Sequence, residues 1–378
     1  MKKILIVRRG LLGDTLVAIP ALRLIKKSFP DSYIHYVSDQ HIGKSFASPQ
    51  SVLFDLNLVD SFSRWVFSHS FVFRITSLLR LIIKLRKDNF DLAILLERNN
   101  RGVWYIRGNK FFLSLCGVKH IVTDSMETSR TRNESGKLIR LNHEADYLLE
   151  LLYRNNINTD SYFDPLTEIQ IVPNNDVEKK VDLWIDGKGI SGMRLVAVAP
   201  NTNMSVKKWP IERYIECINF LVNNHNIMPV FIGSASEVDI TKPLIDSTKS
   251  VSAMGVFSIH ETVSLLRRCL FYLGNDTGAH HLAAAAGITC VVIFSSRDNP
   301  GKWHPYGKSH KILRTDISCE GCMLHECNKI PTCVQQITVQ NVVEVCEEVI
   351  KEKLNDPFRI LTIAPSGGFI KPPASGGR

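Results

Sequence analysis

The sequence has no run of about 18–20 uninterrupted apolar residues, the length a membrane-spanning helix needs. Nor does it read as carrying a secretory leader. Two lysines precede the apolar run of MKKILIVRRGLLGD, but Arg8, Arg9 and Asp14 break that run and no small-residue cleavage site follows. A cytoplasmic location is the expectation. Acidic residues are in deficit: 37 Asp and Glu face 46 Lys and Arg, a formal net charge of +9 that favours anionic partners. The positive charge is spread rather than blocked and no nucleic-acid motif is present, so nucleic acid is not the expected partner. No GxGxxG turn directly follows a strand and opens a helix, which argues against an NAD-type oxidoreductase. No DxD-like carboxylate pair sits in a convincing turn, so no obligatory catalytic metal and no catalytic cofactor are expected. With 44% hydrophobic and 22% charged residues, a mainly disordered, collagen-like or coiled-coil chain is excluded.

What is present is alternation. At 378 residues the chain is long enough for about two to three domains. Short β-branched runs (2–9, 32–39, 90–97, 119–124) alternate with amphipathic stretches, among them 15–29, where Pro20 marks a kink or late helix start, and a basic helix at 71–88. The segment 160–190 is rich in Asp, Asn, Pro and Gly and reads as a linker. A second series follows: strands at 194–200, 228–234, 270–276 and 289–295, with helices at 211–224, 260–269 and 279–286. The expected fold is α/β, with an N-terminal Rossmann-like unit at 1–175 and a second at 190–340, facing each other across a cleft. A charged helix at 341–356 and a Pro/Gly/Ser-rich flexible tail at 357–378 complete the chain.

Three segments carry candidate chemistry. RRGLLGD (8–14) follows the first strand; Asp14 is either a helix N-cap or, at a strand end facing the ligand crevice, a general base. APNTNMSVKKWP (199–210) is a polar loop whose lysines suit an anion, or are ordinary surface charges. GNDTGAHHLAAAAG (274–287) is a strand, a turn and an Ala-rich helix, whose N-terminus offers amides and a favourable dipole to an anion.

In this order, and with FIGSASE (231–237) and GKWHPYG (301–307), these segments resemble glycosyltransferase family 9, which holds the ADP-heptose:lipopolysaccharide heptosyltransferases. The resemblance implies a GT-B fold and an inverting transfer of a heptose from ADP-heptose to a lipopolysaccharide core saccharide. A related nucleotide sugar, or a protein acceptor, is the alternative; a non-catalytic module binding anionic surfaces is a third reading. By position, Asp14 matches the family's catalytic base and Lys207 the lysine that meets the donor diphosphate. Asp276, Thr277, Gly278 and His281 match the diphosphate turn, Glu237 the ribose-holding acid, and Gly13 and Thr202 further substrate contacts. Two departures stand out: Gly10-Leu11 replaces the family's frequent Ser-Ser, and LLERNNRG (95–102) replaces its usual acceptor-side segment.

Cys319, Cys322, Cys327 and Cys333, spaced Cx2Cx4Cx5C, are compact enough to place four thiolates around one structural Zn or Fe, or are simply reduced thiols. An iron-binding finger of this kind is known among family members. Cys116, Cys217, Cys269, Cys290 and Cys346 fall in apolar patterns and read as core. Between 64 and 110 basic residues far outnumber acids, and several lie on the 71–88 helix beside Phe71, Phe73, Leu78 and Ile82. That combination suits peripheral contact with the anionic inner face of the cytoplasmic membrane, where the resemblance places a lipid-linked acceptor.

Overall fold

The apolar run KILIV forms β1 (Lys3–Val7), with Ile4 to Val7 fully buried, as a strand inside a parallel sheet covered on both faces requires. The computed structural model describes residues 1–41, 48–67, 70–97, 103–123, 132–159 and 161–355. After β1 come α1 (Leu12–Leu16), α2 (Ile19–Ser28), β2 (Tyr33–His41), α3 (Pro49–Leu53), β3 (Ser61–Phe67), α4 (Phe71–Asp88), β4 (Leu92–Leu95), α5 (Val103–Leu115) and β5 (His120–Val122). Then follow α6 (Glu144–Arg154), α7 (Pro165–Glu168), α8 (Asn175–Gly187), β6 (Arg194–Ala199), α9 (Ile211–His225), β7 (Ile227–Phe231) and α10 (Val238–Asp246). The chain continues through β8 (Val251–Ser252), α11 (Ile259–Arg267), β9 (Cys269–Asn275), α12 (Gly278–Ala285), β10 (Thr289–Phe294), β11 (Lys311–Arg314) and α13 (Val339–Leu354).

Among the described residues the strands build two sheets, in the orders β3-β2-β1-β4-β5 and β11-β10-β9-β6-β7-β8, and the strand pairs within them are parallel. The period of two divides each sheet's residues between its faces. Leu5, Val7, Ala93 and Leu95 pack with Leu81, Leu85, Phe112 and Leu113 of α4 and α5. Val196, Val198, Phe271 and Val291 pack with Tyr214, Ile218, Val342 and Cys346 of α9 and α13. The remaining faces meet in one apolar cluster that runs from Ile4, Ile6 and Leu22 through Leu148 to Leu195, Ala283 and Val292. The two halves are therefore joined by a continuous core. Polar bonds stitch the same boundary: Leu138 N–H to Glu320 Oε1 (2.5 Å), Leu141 N–H to the Pro300 carbonyl (2.9 Å) and Glu144 N–H to the Lys302 carbonyl (3.0 Å).

Several sequence expectations change. The 15–29 stretch is two helices, with Pro20 in the first turn of α2, where its missing N–H costs nothing. The segment 160–190 is more than a linker. Asn174 caps α8 through Val177 N–H (3.0 Å), and Val181 and Ile185 bury one face of that helix. β3, α5, α6, α10 and β11 were not anticipated. The five cysteines assigned to the core are all buried. Residues 98–102 of LLERNNRG and the tail 357–378 lie outside the described residues.

Candidate active site

The chain leaves β1 through Gly10, whose φ of +146° lies in the region glycine favours. A Cβ there would stand 2.3 Å from Asp14 Cγ, so glycine is what lets the turn close over the carboxylate. Asp14 is not the N-cap of α1: Leu11 holds that position, and Asp14 sits three residues in. Its Oδ2 accepts the Leu11 N–H at 2.9 Å. Arg8, fully buried, donates from Nε to the Asp14 carbonyl (2.6 Å) and from Nη1 to the Leu96 carbonyl (2.8 Å), while its Nη2 faces Glu144 Oε1 at 3.7 Å. The backbone bearing Asp14 is thus tied to β4 and α6.

The next residue toward the other half is Gly13. A Cβ on it would stand 2.9 Å from His281 Cδ2, and a Cβ on Gly278 would stand 3.1 Å from that of Leu12. These two glycines let α1 lie directly on α12 and bring Asp14 to the donor-side turn.

That turn hangs from β9. Asn275, fully buried, donates to the Pro200 carbonyl (2.6 Å) and its Oδ1 accepts the Trp209 N–H (3.4 Å), joining the end of β9 to both ends of the loop that follows β6. Thr277 caps α12 by accepting Ala279 N–H (3.3 Å). His280 is a structural link: Nδ1 accepts Thr277 N–H (3.1 Å) and Nε2 meets the Trp303 carbonyl (3.0 Å). Burial pushes its pKa down to about 4, and pushes that of His281, which faces the cleft, well below the usual value; both are neutral near pH 7. Lys207 Nζ stands 2.7 Å from Asp276 Oδ2 and 3.4 Å from the Asp276 carbonyl, whereas Lys208 is exposed.

The nine residues that the sequence assigns to catalysis or substrate binding, Asp14, Gly13, Thr202, Lys207, Glu237, Asp276, Thr277, Gly278 and His281, line one cavity of about 560 Å³ between the sheets. That is ample for a nucleotide sugar. Thr202 Oγ1 accepts Met204 N–H (3.3 Å). Glu237 Oε2 accepts the N–H and hydroxyl of Ser234, both at 2.7 Å, at the rim formed with Phe257.

Sequence reasoning missed the opposite wall. Arg297 reaches the cavity while Nε and Nη2 donate to the carbonyls of Leu324 and Met323, each at 2.8 Å. Arg314, also on the wall, meets Glu320 Oε2 at 3.0 Å. Both depend on partners in the cysteine-bearing segment, so neither carries a local signal.

That segment carries the four cysteines. The four cysteines line one small cavity of about 20 Å³, yet among the described residues no group of three or more His, Cys, Asp or Glu is placed to hold a metal ion. The Cys333 sulfur accepts the Ser296 N–H (3.4 Å), and burial raises its thiol pKa. The segment also supports the cleft. The carbonyls of Met323 and Leu324 hold Arg297, and the His325 carbonyl accepts Val206 N–H (3.3 Å) beside Lys207.

Residues 173–331 match the family model of glycosyltransferase family 9 (heptosyltransferase). The matched segment runs from α8 through the cysteine-bearing wall and includes the Lys207 loop and the Asp276 turn. Among curated proteins, lipopolysaccharide heptosyltransferase 1 of Campylobacter coli is 19% identical over 315 residues, covering 78% of this chain and 84% of that protein. The solved family 9 glycosyltransferase of Veillonella parvula superposes with a TM-score of 0.72 at 20% identity, over 93% of this chain and 98% of its own. The Escherichia coli ADP-heptose lipopolysaccharide heptosyltransferase II gives 0.66 at 16%, over 94% and 100%. The fold matches that of the GT-B heptosyltransferases, and over residues 173–331 the chain is similar to family 9 glycosyltransferases.

Proposed function

We propose that the protein moves a heptose from ADP-heptose to a lipid-linked saccharide of the lipopolysaccharide core, with inversion at the anomeric carbon. The observation that carries the proposal is the glycine seam, which sets Asp14 against the turn bearing Asp276 to His281. The donor and acceptor are taken from what the relatives are named for: ADP-heptose in the E. coli structure, lipopolysaccharide in both E. coli and C. coli.

In the reaction, Asp14 takes the proton of the acceptor hydroxyl. The oxygen bonds to the anomeric carbon as the bond from that carbon to the diphosphate breaks, and ADP leaves. In this reading Lys207 meets the departing charge, Glu237 the ribose and Thr202 the rest of the donor. General-base assistance is worth about 10²–10⁴-fold in rate, and each well-placed group on the leaving anion about 10²–10³-fold. Release of ADP and the mass of the product, measured with ADP-heptose and a lipid A-linked saccharide, test the proposal. Transfer with both substrates supports it. ADP that binds no better than UDP or GDP, with no transfer from ADP-heptose, overturns the donor assignment.

A further inference from the structure

We propose that the outer face of α4 and α5 docks on an anionic lipid leaflet. The two helices lie over one face of the N-terminal sheet, sharing the core of Leu81, Leu85, Phe112 and Leu113. Leu78 and Ile82, which the sequence reading placed at an interface, pack inward against that core. The outward stripe belongs to other residues. On α4, Val72, Leu79 and Ile83 follow one another at helical spacing and are exposed, Leu79 by 52% and Ile83 by 56%. On α5, Trp104 is 81% exposed and Phe111, seven residues on, 67%. Exposed apolar side chains are ordinary singly; a stripe of them on each of two neighbouring helices is not.

The charge around the stripes identifies the occupant. Segments 70–87 and 103–119 hold eight Lys and Arg and no Asp or Glu. On the helix, Arg80 and Lys87 flank the apolar stripe on one side and Arg86 on the other; Arg107 lies over the Trp104 ring at 5.1 Å. A second copy of this face would bring cation against cation. An anionic leaflet meets both components at once: aliphatic and indole groups enter the headgroup boundary while the ammonium and guanidinium groups meet phosphates. The strand ends that line the cleft belong to the same sheet, so docking holds the cleft near the leaflet. The proposal adds a location to the reaction above and is independent of its donor.

The test uses the full chain with vesicles of phosphatidylethanolamine and phosphatidylglycerol, against phosphatidylcholine alone, in flotation. Binding is expected to the anionic vesicles only, falling steeply as the Debye length shrinks from about 30 Å at 0.01 M salt to about 3 Å at 1 M. Each basic contact is worth about a five-fold change in partitioning, so Arg80→Glu, Lys87→Glu and Arg107→Glu together should weaken binding by at least about 10²-fold. Leu79→Ser, Ile83→Ser and Trp104→Ser should weaken it comparably. All six positions are exposed, and unchanged ADP binding and thermal midpoint show that the variants fold. A blue shift of tryptophan emission on vesicle addition, absent in Trp104→Ser, places the indole at the boundary. No binding to anionic vesicles, or binding that survives both triple variants, overturns the proposal. Self-association that the same variants abolish, without vesicle binding, overturns it in favour of a second copy.

Discussion

Asp14 and Lys207 approach the cleft from opposite halves, and each is held by a different kind of bond. Asp14 keeps one carboxylate oxygen on the Leu11 N–H. Asparagine can still accept there through its amide oxygen but cannot take a proton from an acceptor. Asp14→Asn should therefore leave ADP affinity and the thermal midpoint near wild type while lowering turnover by about 10²–10⁴-fold; retention of more than a tenth of the turnover would leave Asp14 a structural residue. Lys207 is paired with Asp276, so Lys207→Ala removes a cation and frees a carboxylate in the anion site. ADP binding by calorimetry should weaken by about ten-fold or more, and that of Lys208→Ala, an exposed side chain, by far less; equal losses would place the wrong lysine on the diphosphate. The cleft residues that could be read in the sequence stand at strand ends, where a β-branched run gives way to Gly, Asp or Asn. Arg8, Arg297 and Arg314 gave no such signal. Their roles come from carbonyls and carboxylates that folding brings to them, Leu96 and Glu144 for Arg8 among them.

Among elements, α6 and α12 have an unusual dependence on neutral imidazole. His143 caps α6 by accepting the Ala145 N–H at Nδ1 (3.0 Å) and meets the His304 carbonyl at Nε2 (2.9 Å); His280 does the corresponding work in the first turn of α12. A protonated ring would turn each acceptor into a donor at the positive end of a helix. Burial, the largest cause in each case, brings His143 to about 3 and His280 and His304 to about 4. Above about pH 6.5 these rings are neutral in folded and unfolded chain alike. Below it the unfolded chain takes up protons that the folded chain refuses until about pH 3–4, so stability falls as pH falls through that window. Thermal melts from about pH 7.5 to about pH 4.5 should show the loss, and His143→Asn, which keeps a capping oxygen, should make the slope shallower; an unchanged slope would remove His143 from the account. The long periodic elements were legible because their apolar spacing outweighs local composition. α8 was not: its Asn, Asp, Glu and Lys residues hide the four-residue spacing of Val177, Val181 and Ile185. β3 was missed because SFSRWVF interleaves Ser and Arg with its aromatics.

For the whole molecule, the decisive feature is the core that passes without a break from Ile4 to Val292. The sequence shows two alternating series but gives no sign of this continuity, which is a sum of contacts across the full length of the chain. With that core shared, the halves should unfold together: heat or denaturant should give one transition seen alike by tryptophan emission and by far-ultraviolet dichroism. ADP at about 100 times its dissociation constant should move that single transition upward by about 2.7 kcal/mol. Two separable transitions, with only one responding to ADP, would show that the shared core is too weak to couple them. The same continuity bears on the order of events during synthesis. The ribosome delivers Asp14 first and the Asp276 turn on the order of tens of seconds later, at about 5–20 residues per second. Until then the nascent chain carries its base on an uncovered apolar seam, with no partner helix to lie against. The active centre is among the last parts of the molecule to exist.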